Sequence, residues 1–216
     1  MKISPSIISS RLAVLGEEIE KCDAAGADSY HLDVMDGHFV PNLTMGPDLI
    51  SAVRRRTKKR LESHLMIERP DRYYRSFVEA GSDILLIHAE CLVNFKKLMK
   101  DIADSGAEFG VVINPETPLS EALPLLPESR ILLLMSVHPG FSGQKFINST
   151  VDKIREARSY IERNGLDTEI EVDGGINDKT GKLCADAGAD ILVSASYIFS
   201  GNIQERIGIL KNLKQD

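Results

Sequence analysis

Cysteine is scarce in this 216-residue sequence: Cys22, Cys91 and Cys184 stand far apart, an odd number with no C-x-x-C spacing. That excludes a disulfide framework or a thiolate zinc knuckle and fits reduced thiols. No apolar run approaches the ~18 residues that a membrane-spanning helix needs, so no membrane partner is expected. A charged-then-apolar leader is missing too: Lys2-Ile3-Ser4-Pro5 begins a strand-like segment directly after Met1, and the expected location is cytoplasmic. Basic residues are in the minority, 26 Lys and Arg against 32 Asp and Glu for a net charge of −6, with no basic stripe. Nucleic acid is therefore not an expected partner. Linkers, low-complexity tracts and shifts of composition are also lacking, which predicts a single domain over residues 1–216.

What is present is an ordinary globular composition, 43% apolar and 27% charged, carrying a short repeat. Gly26-Ala27-Asp28, Gly81-Ser82-Asp83, Gly106-Ala107-Glu108 and Gly188-Ala189-Asp190 each follow a helical pattern and precede an apolar run. Glycine suits the left-handed position that ends a helix. The spacings are close to multiples of about 27 residues, and eight such units fill the chain. Alternating β and α units imply a parallel sheet. The predicted strands lie at about 3–8, 29–34, 61–66, 83–88, 108–113, 130–136, 168–173 and 190–195. Helical spacing covers Arg11 to Ala25 and about 69–80, 93–104, 149–163 and 178–187. The fold class is α/β, a (β/α)₈ TIM barrel.

In such a barrel, function sits at the carboxyl ends of the strands. The second strand runs into His31-Leu32-Asp33-Val34-Met35-Asp36-Gly37-His38, and period-two alternation puts His31, Asp33 and Met35 on one face. The third strand likewise puts Glu62, His64 and Met66 on one face, and the seventh ends at Asp173-Gly174-Gly175. His31, Asp33, His64 and Asp173 together form a predicted site for one divalent metal ion, Zn, Fe, Mn or Co. Asp36-Gly37 reads as the turn leaving the strand, His38 as a loop residue, and His88 as a supporting group rather than a ligand.

The loop His138-Pro139-Gly140-Phe141-Ser142-Gly143-Gln144-Lys145-Phe146 carries glycines whose backbone N–H groups can close on an anion. Gly174, Gly175, Ala195 and Ser196 add donors after strands seven and eight, the usual phosphate position of these barrels. A short helix near Tyr197-Ile198-Phe199 can present its N-terminus, so an acidic protein can hold phosphate without a basic patch. Met35, Met66 and Met135 end strands two, three and six, where they can cap a reactive intermediate.

A divalent metal, two carboxylates and a phosphate site suggest proton transfer next to a polarised carbonyl in a sugar phosphate. Removing the proton α to a ketone gives an enediolate, and the cation stabilises the developing oxyanion. With Asp33 and Asp173 on opposite faces, one removes the proton and the other returns it, inverting the centre. A Schiff-base aldolase requires a lysine near a strand's carboxyl end, and none is found. A non-catalytic phosphate-binding barrel does not need the metal constellation.

Five stretches resemble the ribulose-phosphate 3-epimerase family nearly end to end. They are Pro5-Ser6-Ile7-Ile8-Ser9, His31 through Asn42, His64-Leu65-Met66, Pro139 through Phe146, and Glu171-Val172-Asp173-Gly174-Gly175. The resemblance implies metal binding by His31, Asp33, His64 and Asp173, with Asp33 and Asp173 also the acid/base pair. It implies substrate contact by Ser6 and His64, and phosphate contact by Gly140, Phe141, Ser142, Gly143, Gly174, Gly175, Ala195 and Ser196. The implied reaction interconverts D-ribulose 5-phosphate and D-xylulose 5-phosphate, and a homo-oligomer is the usual assembly. Ala195-Ser196-Tyr197 stands where the family often has Gly-Ser before a small residue, and His138 and Ser142 occupy variable positions. These departures keep allulose-6-phosphate 3-epimerase as the alternative.

Overall fold

A computed structural model describes residues 1–214. Eight parallel strands form one sheet: β1 (Lys2–Pro5), β2 (Ser29–Met35), β3 (Arg60–Met66), β4 (Ile84–His88), β5 (Glu108–Ile113), β6 (Ile131–Met135), β7 (Glu169–Asp173) and β8 (Ile191–Ser194). From β2 to β8 each strand pairs with its sequence neighbour, β1 pairs with β8, and a parallel bridge between Ser6 and His31 brings the end of β1 against β2 to complete a TIM barrel. The helices are α1 (Leu15–Ala24), α2 (Pro47–Arg54), α3 (Pro70–Glu79), α4 (Phe95–Asp104), α5 (Thr150–Asn164), α6 (Asp178–Ala187), α7 (Ser196–Phe199) and α8 (Ile203–Lys211).

Period-two alternation sorts the strand residues into two layers. Leu85 and Ile87 of β4, Leu132 and Leu134 of β6, and Ile170 and Val172 of β7 are buried in the large core shared with the helices. Each fully buried aliphatic side chain there contributes about 1.5–3 kcal/mol. Their alternates Ile84, Leu86, Val112, Ile131, Leu133 and Ile191 form a separate apolar cluster inside the barrel. The register sets polar residues beside that cluster: Glu62 pairs with Ile84, His64 with Leu86, Glu171 with both Leu133 and Ile191, and Met135 with Asp173. The barrel interior thus has an apolar side from β4 to β6 and a polar side from β1 to β3 and β7. All three cysteines are free and buried, with burial as the main cause that pushes each thiol up to about 12.

Gly26, Gly81, Gly106 and Gly188 all have positive φ, between 87° and 110°, as expected of glycines ending helices. Three local expectations need correction. β1 stops at Pro5 instead of continuing to residue 8, because the Ser6 side chain accepts from Ile8 N and a 3₁₀ turn follows at Ile7–Ser9. The expected helix from Arg11 begins as a 3₁₀ turn at Leu12–Val14 before α1. Helices α2 and α8 were not expected; at 8 and 9 residues they span little more than two turns, too short for a clear periodic signal. Between β5 and β6 the connection is two 3₁₀ segments, Leu119–Glu121 and Leu123–Glu128, where Pro124 and Pro127 deny an α-helix its donors.

Candidate active site

Strands β2 and β3 pair with Asp33 opposite His64 and His31 opposite Glu62, so parallel register delivers all four side chains to the barrel interior. His31 Nε2 lies 3.1 Å from His64 Nδ1 and 3.5 Å from Asp33 Oδ1, and His64 Nδ1 lies 3.3 Å from the same oxygen. Asp173 reaches in from β7, with Oδ2 4.0 Å from His31 Nε2. These four residues each offer a ligand atom within 4.8 Å of every other, the constellation expected from the sequence. A second acidic-histidine group, His31, Glu62 and Glu171, meets the same distance criterion deeper in the barrel.

Hydrogen-bond roles test whether the first group fits a cation. His31 Nδ1 is 3.0 Å from Glu171 Oε1, and a carboxylate only accepts, so Nδ1 carries a proton and Nε2 is the nitrogen aimed at the cluster. His64 Nε2 is engaged 2.9 Å from His88 Nε2, leaving Nδ1 toward His31. Nitrogen against nitrogen at 3.1 Å, flanked by two carboxylates, is an arrangement that a shared cation stabilises. The residues therefore fit a divalent metal ion of the nitrogen-and-oxygen-loving kind.

The two aspartates differ electrostatically. Burial opposes ionisation of Asp33, but the charge and hydrogen bond of His31, with a further bond from His64, outweigh it and hold the carboxyl well below its usual range. Ser6 Oγ also donates to Asp33 Oδ2. Asp173 is pushed up to about 7, by burial first and then by Asp33 and Glu171, against the opposing pull of His31. Divergent affinities in neighbouring carboxyls are what an acid/base pair requires. Below them Glu62 is also pushed up to about 7, by burial and Glu171, while accepting from Ser4 Oγ at 2.7 Å and Arg60 Nε at 2.8 Å. Glu171 Oε2 is buried with no hydrogen-bond partner.

Above this cluster opens a cleft whose walls include Ser6, Asp33 and Asp173 at the base and Met35, Met66 and Met135 around them. Gly140, Phe141, Ser142 and Gly143 line one side, and Gly174, Gly175, Ala195 and Ser196 another. His31 and His64 are fully buried beneath it and do not line it. No lysine or arginine lines the cleft among the described residues, so an anion there meets backbone N–H groups and hydroxyls. Gly174 and Gly175 have φ of +121° and +64°, and an added Cβ would come within 2.8 Å of the backbone nitrogen of Val137 or Phe146. Only glycine lets those loops close together.

Neighbouring motif residues serve as supports. Asp36 accepts from the backbone of His38, Phe39 and Glu68, which makes it the staple of the turn after β2, and His38 is exposed. Asn42 Nδ2 donates to Gly140 O at 2.7 Å and ties that turn to the glycine loop after β6. Sequence reasoning missed Asn42, Glu171 and Glu90. Glu171 had a usable signal, since it lies two residues before Asp173 on the same strand face. Asn42 and Glu90 sit in loops, where no periodicity points to a partner.

A family model described as the ribulose-phosphate 3 epimerase family matches residues 2–199. The chain belongs to the ribulose-phosphate 3-epimerase family. Within that family it is 46% identical over 200 residues to a ribulose-phosphate 3-epimerase of Bacillus subtilis (strain 168), covering 92% of each chain. It is 43% identical over 199 residues to one of Escherichia coli (strain K12), covering 91% of this chain and 88% of the relative. A chloroplastic ribulose-5-phosphate-3-epimerase of Arabidopsis thaliana is 42% identical over 91% of this chain and 71% of its own. Among solved structures, 3-hexulose-6-phosphate synthase from Salmonella typhimurium superposes with a TM-score of 0.74 over 99% of this chain and 98% of that one. At 18% identity that likeness concerns the fold alone. The family membership makes the chain a carbohydrate epimerase. Among the described residues no helix is long and apolar enough to cross a membrane.

Proposed function

We propose that this epimerase interconverts D-ribulose 5-phosphate and D-xylulose 5-phosphate by inverting C3, with Asp33 and Asp173 as the acid/base pair. The observation that carries the reading is that these two aspartates, from β2 and β7, line one cleft together with the glycine-bearing loops that can hold a phosphate. One of the two carboxylates takes the C3 proton and the other supplies one to the opposite face; the reverse reaction exchanges the roles. Ser6 orients the Asp33 carboxylate through Oδ2. His31, Asp33, His64 and Asp173 are the residues that hold the divalent cation. When bound, that ion supplies Lewis-acid stabilisation of the negative charge that develops on the substrate as an enediolate.

The phosphate is held by the N–H groups of Gly140 to Gly143, Gly174, Gly175, Ala195 and Ser196, at the position barrels of this class use for it. Helix α7 starts at Ser196 and adds its first amides. The three methionines keep water from the reacting carbon with a surface that offers no protons. Turnover in D₂O with NMR detection tests the reading: deuterium is expected at C3 of both pentulose phosphates. A parallel comparison of kcat/KM with allulose 6-phosphate tests the substrate, and a large preference for the six-carbon compound overturns the pentulose assignment.

A further inference from the structure

The loop after β6 has its carbonyls held by side-chain amides. Gln144 Nε2 donates to His138 O at 2.6 Å and to Phe141 O at 2.9 Å, so one side chain closes a ring across residues 138–144. Between those two acceptors, the Gly140 carbonyl is taken by Asn42 Nδ2 at 2.7 Å. Three of the four carbonyls from His138 to Phe141 therefore accept from an amide side chain. The backbone N–H groups of Gly140, Ser142 and Gly143, by contrast, donate to no acceptor among the described residues. A loop with held carbonyls and open N–H groups is arranged to receive an anion.

Gln144 has no donor left for the anion itself. A primary amide carries two N–H donors and one carbonyl oxygen, and two carbonyl acceptors within 3 Å require the nitrogen end to face them. Both donors are thus engaged inside the loop, and the remaining oxygen only accepts. Although Gln144 lines the cleft, it can act on a phosphate only through the loop that it closes. Its backbone also meets the neighbouring loop: a Cβ added to Gly175 would come within 3.1 Å of Gln144 O. Because no lysine or arginine lines the cleft among the described residues, the aim of these N–H groups decides how well an anion is held.

We propose that Gln144 is a positioning residue for the substrate's phosphate, its side-chain amide stapling residues 138–144 so that the N–H groups of Gly140 to Gly143 are set before the substrate arrives. The inference rests on the phosphate reading above. A side chain of the same length without donors leaves the carbonyls of His138 and Phe141 unheld. Ordering the loop then falls on the binding of the substrate, which weakens it.

Nitrogen-15 relaxation on the labelled, ligand-free, full-length protein reads the loop directly. Order parameters of the Gly140, Phe141, Ser142 and Gly143 amides are expected at about 0.85 in wild type and below about 0.6 in Gln144→Met, which keeps the length and removes both donors. Equal values in the two proteins overturn the proposal, even where phosphate binding falls, since that combination assigns Gln144 a direct contact. Inorganic phosphate as a competitive inhibitor supplies the second readout. Its Ki is expected to rise by about 5–100-fold in Gln144→Met, as two hydrogen bonds are lost. KM for D-ribulose 5-phosphate should rise with it while kcat stays within about threefold, because the staple serves ground state and transition state alike. An unchanged Ki with both proteins folded by circular dichroism, or a loss confined to kcat, counts against the staple. Should Gln144→Met fail to fold, Gln144→Glu replaces it under the same criteria, its carboxylate having no proton to donate. A wild-type protein that inorganic phosphate does not inhibit would overturn the phosphate reading, whereas the order parameters without ligand still judge the staple.

Discussion

His31 Nε2 and His64 Nδ1 face each other at 3.1 Å, each with its other ring nitrogen already engaged, by Glu171 and His88 respectively. The pair is built to share a positive charge. Removing a bound divalent ion should therefore cost both activity and stability. For a site filled at about 100 times its dissociation constant, the loss is roughly 2.7 kcal/mol. In a chain of this size that corresponds to a fall in Tm of about 5–10 °C after dialysis against a chelator. Calorimetry and turnover before and after adding back Zn, Fe, Mn or Co check this; a chelated protein with unchanged Tm and rate contradicts it.

Asp173→Asn is expected to lower kcat by about 10²–10⁴-fold while leaving the fold intact. Because Asp173 is already pushed up to about 7 by burial and its acidic neighbours, a neutral amide relieves repulsion there, and the Tm is expected to hold or rise in the metal-free protein. Asp33→Asn should behave differently, losing stability as well as activity, since that carboxylate accepts from Ser6 and is held ionised by His31 and His64. Wild-type-like turnover by Asp173→Asn removes that residue from the acid/base pair.

Asn42→Ala cuts the bond from Nδ2 to Gly140 O that joins the two loops over the cleft. A single hydrogen bond of this kind is worth about 0.5–1.5 kcal/mol, so KM for the sugar phosphate is expected to rise by roughly 2–10-fold. Steady-state kinetics is the check, alongside a fall in Tm of about 1–6 °C. An effect confined to kcat argues that the clamp acts on chemistry instead of on binding.

Glu90 gives a pH signature. Its folded-state affinity, brought to about 2 against burial by hydrogen bonds from His88, Thr117 and Asn114, lies below the ordinary 4.5, so the unfolded chain binds its proton first. The stability it contributes is present above about pH 4.5 and is lost as pH falls toward about 2. The difference in urea midpoint between wild type and Glu90→Gln should shrink steadily across that window. A constant difference from pH 6 downward would show that Glu90 is not held ionised by its partners.

Gly110→Ala tests the apolar side of the barrel interior. A Cβ there meets Leu86 Cδ2 at 2.5 Å and Ile131 O at 3.1 Å. Overpacking of that kind costs about 1–3 kcal/mol, measurable as a lowered urea midpoint with the same m-value.

The sequence alone determined the barrel and most of its site, because both are written in local periodicity. A repeat of about 27 residues counted the βα units, glycines of positive φ closed four helices, and alternation along two strands placed His31 with Asp33 and Glu62 with His64. Where local signal was weak, so was the reading: α2 and α8 are too short to declare a period, and the proline-bearing stretch before β6 carries none. The tertiary structure alone decided what depends on distance across the sheet. Packing inside the closed barrel set His31 and His64 against Asp33, and Asp33 and Glu171 against Asp173, and so drove the two aspartates' proton affinities apart. It also chose which nitrogen of each histidine faces the cluster, because the partners that hold the far sides of the two rings, Glu171 for His31 and His88 for His64, come from strands 140 and 24 residues away in sequence.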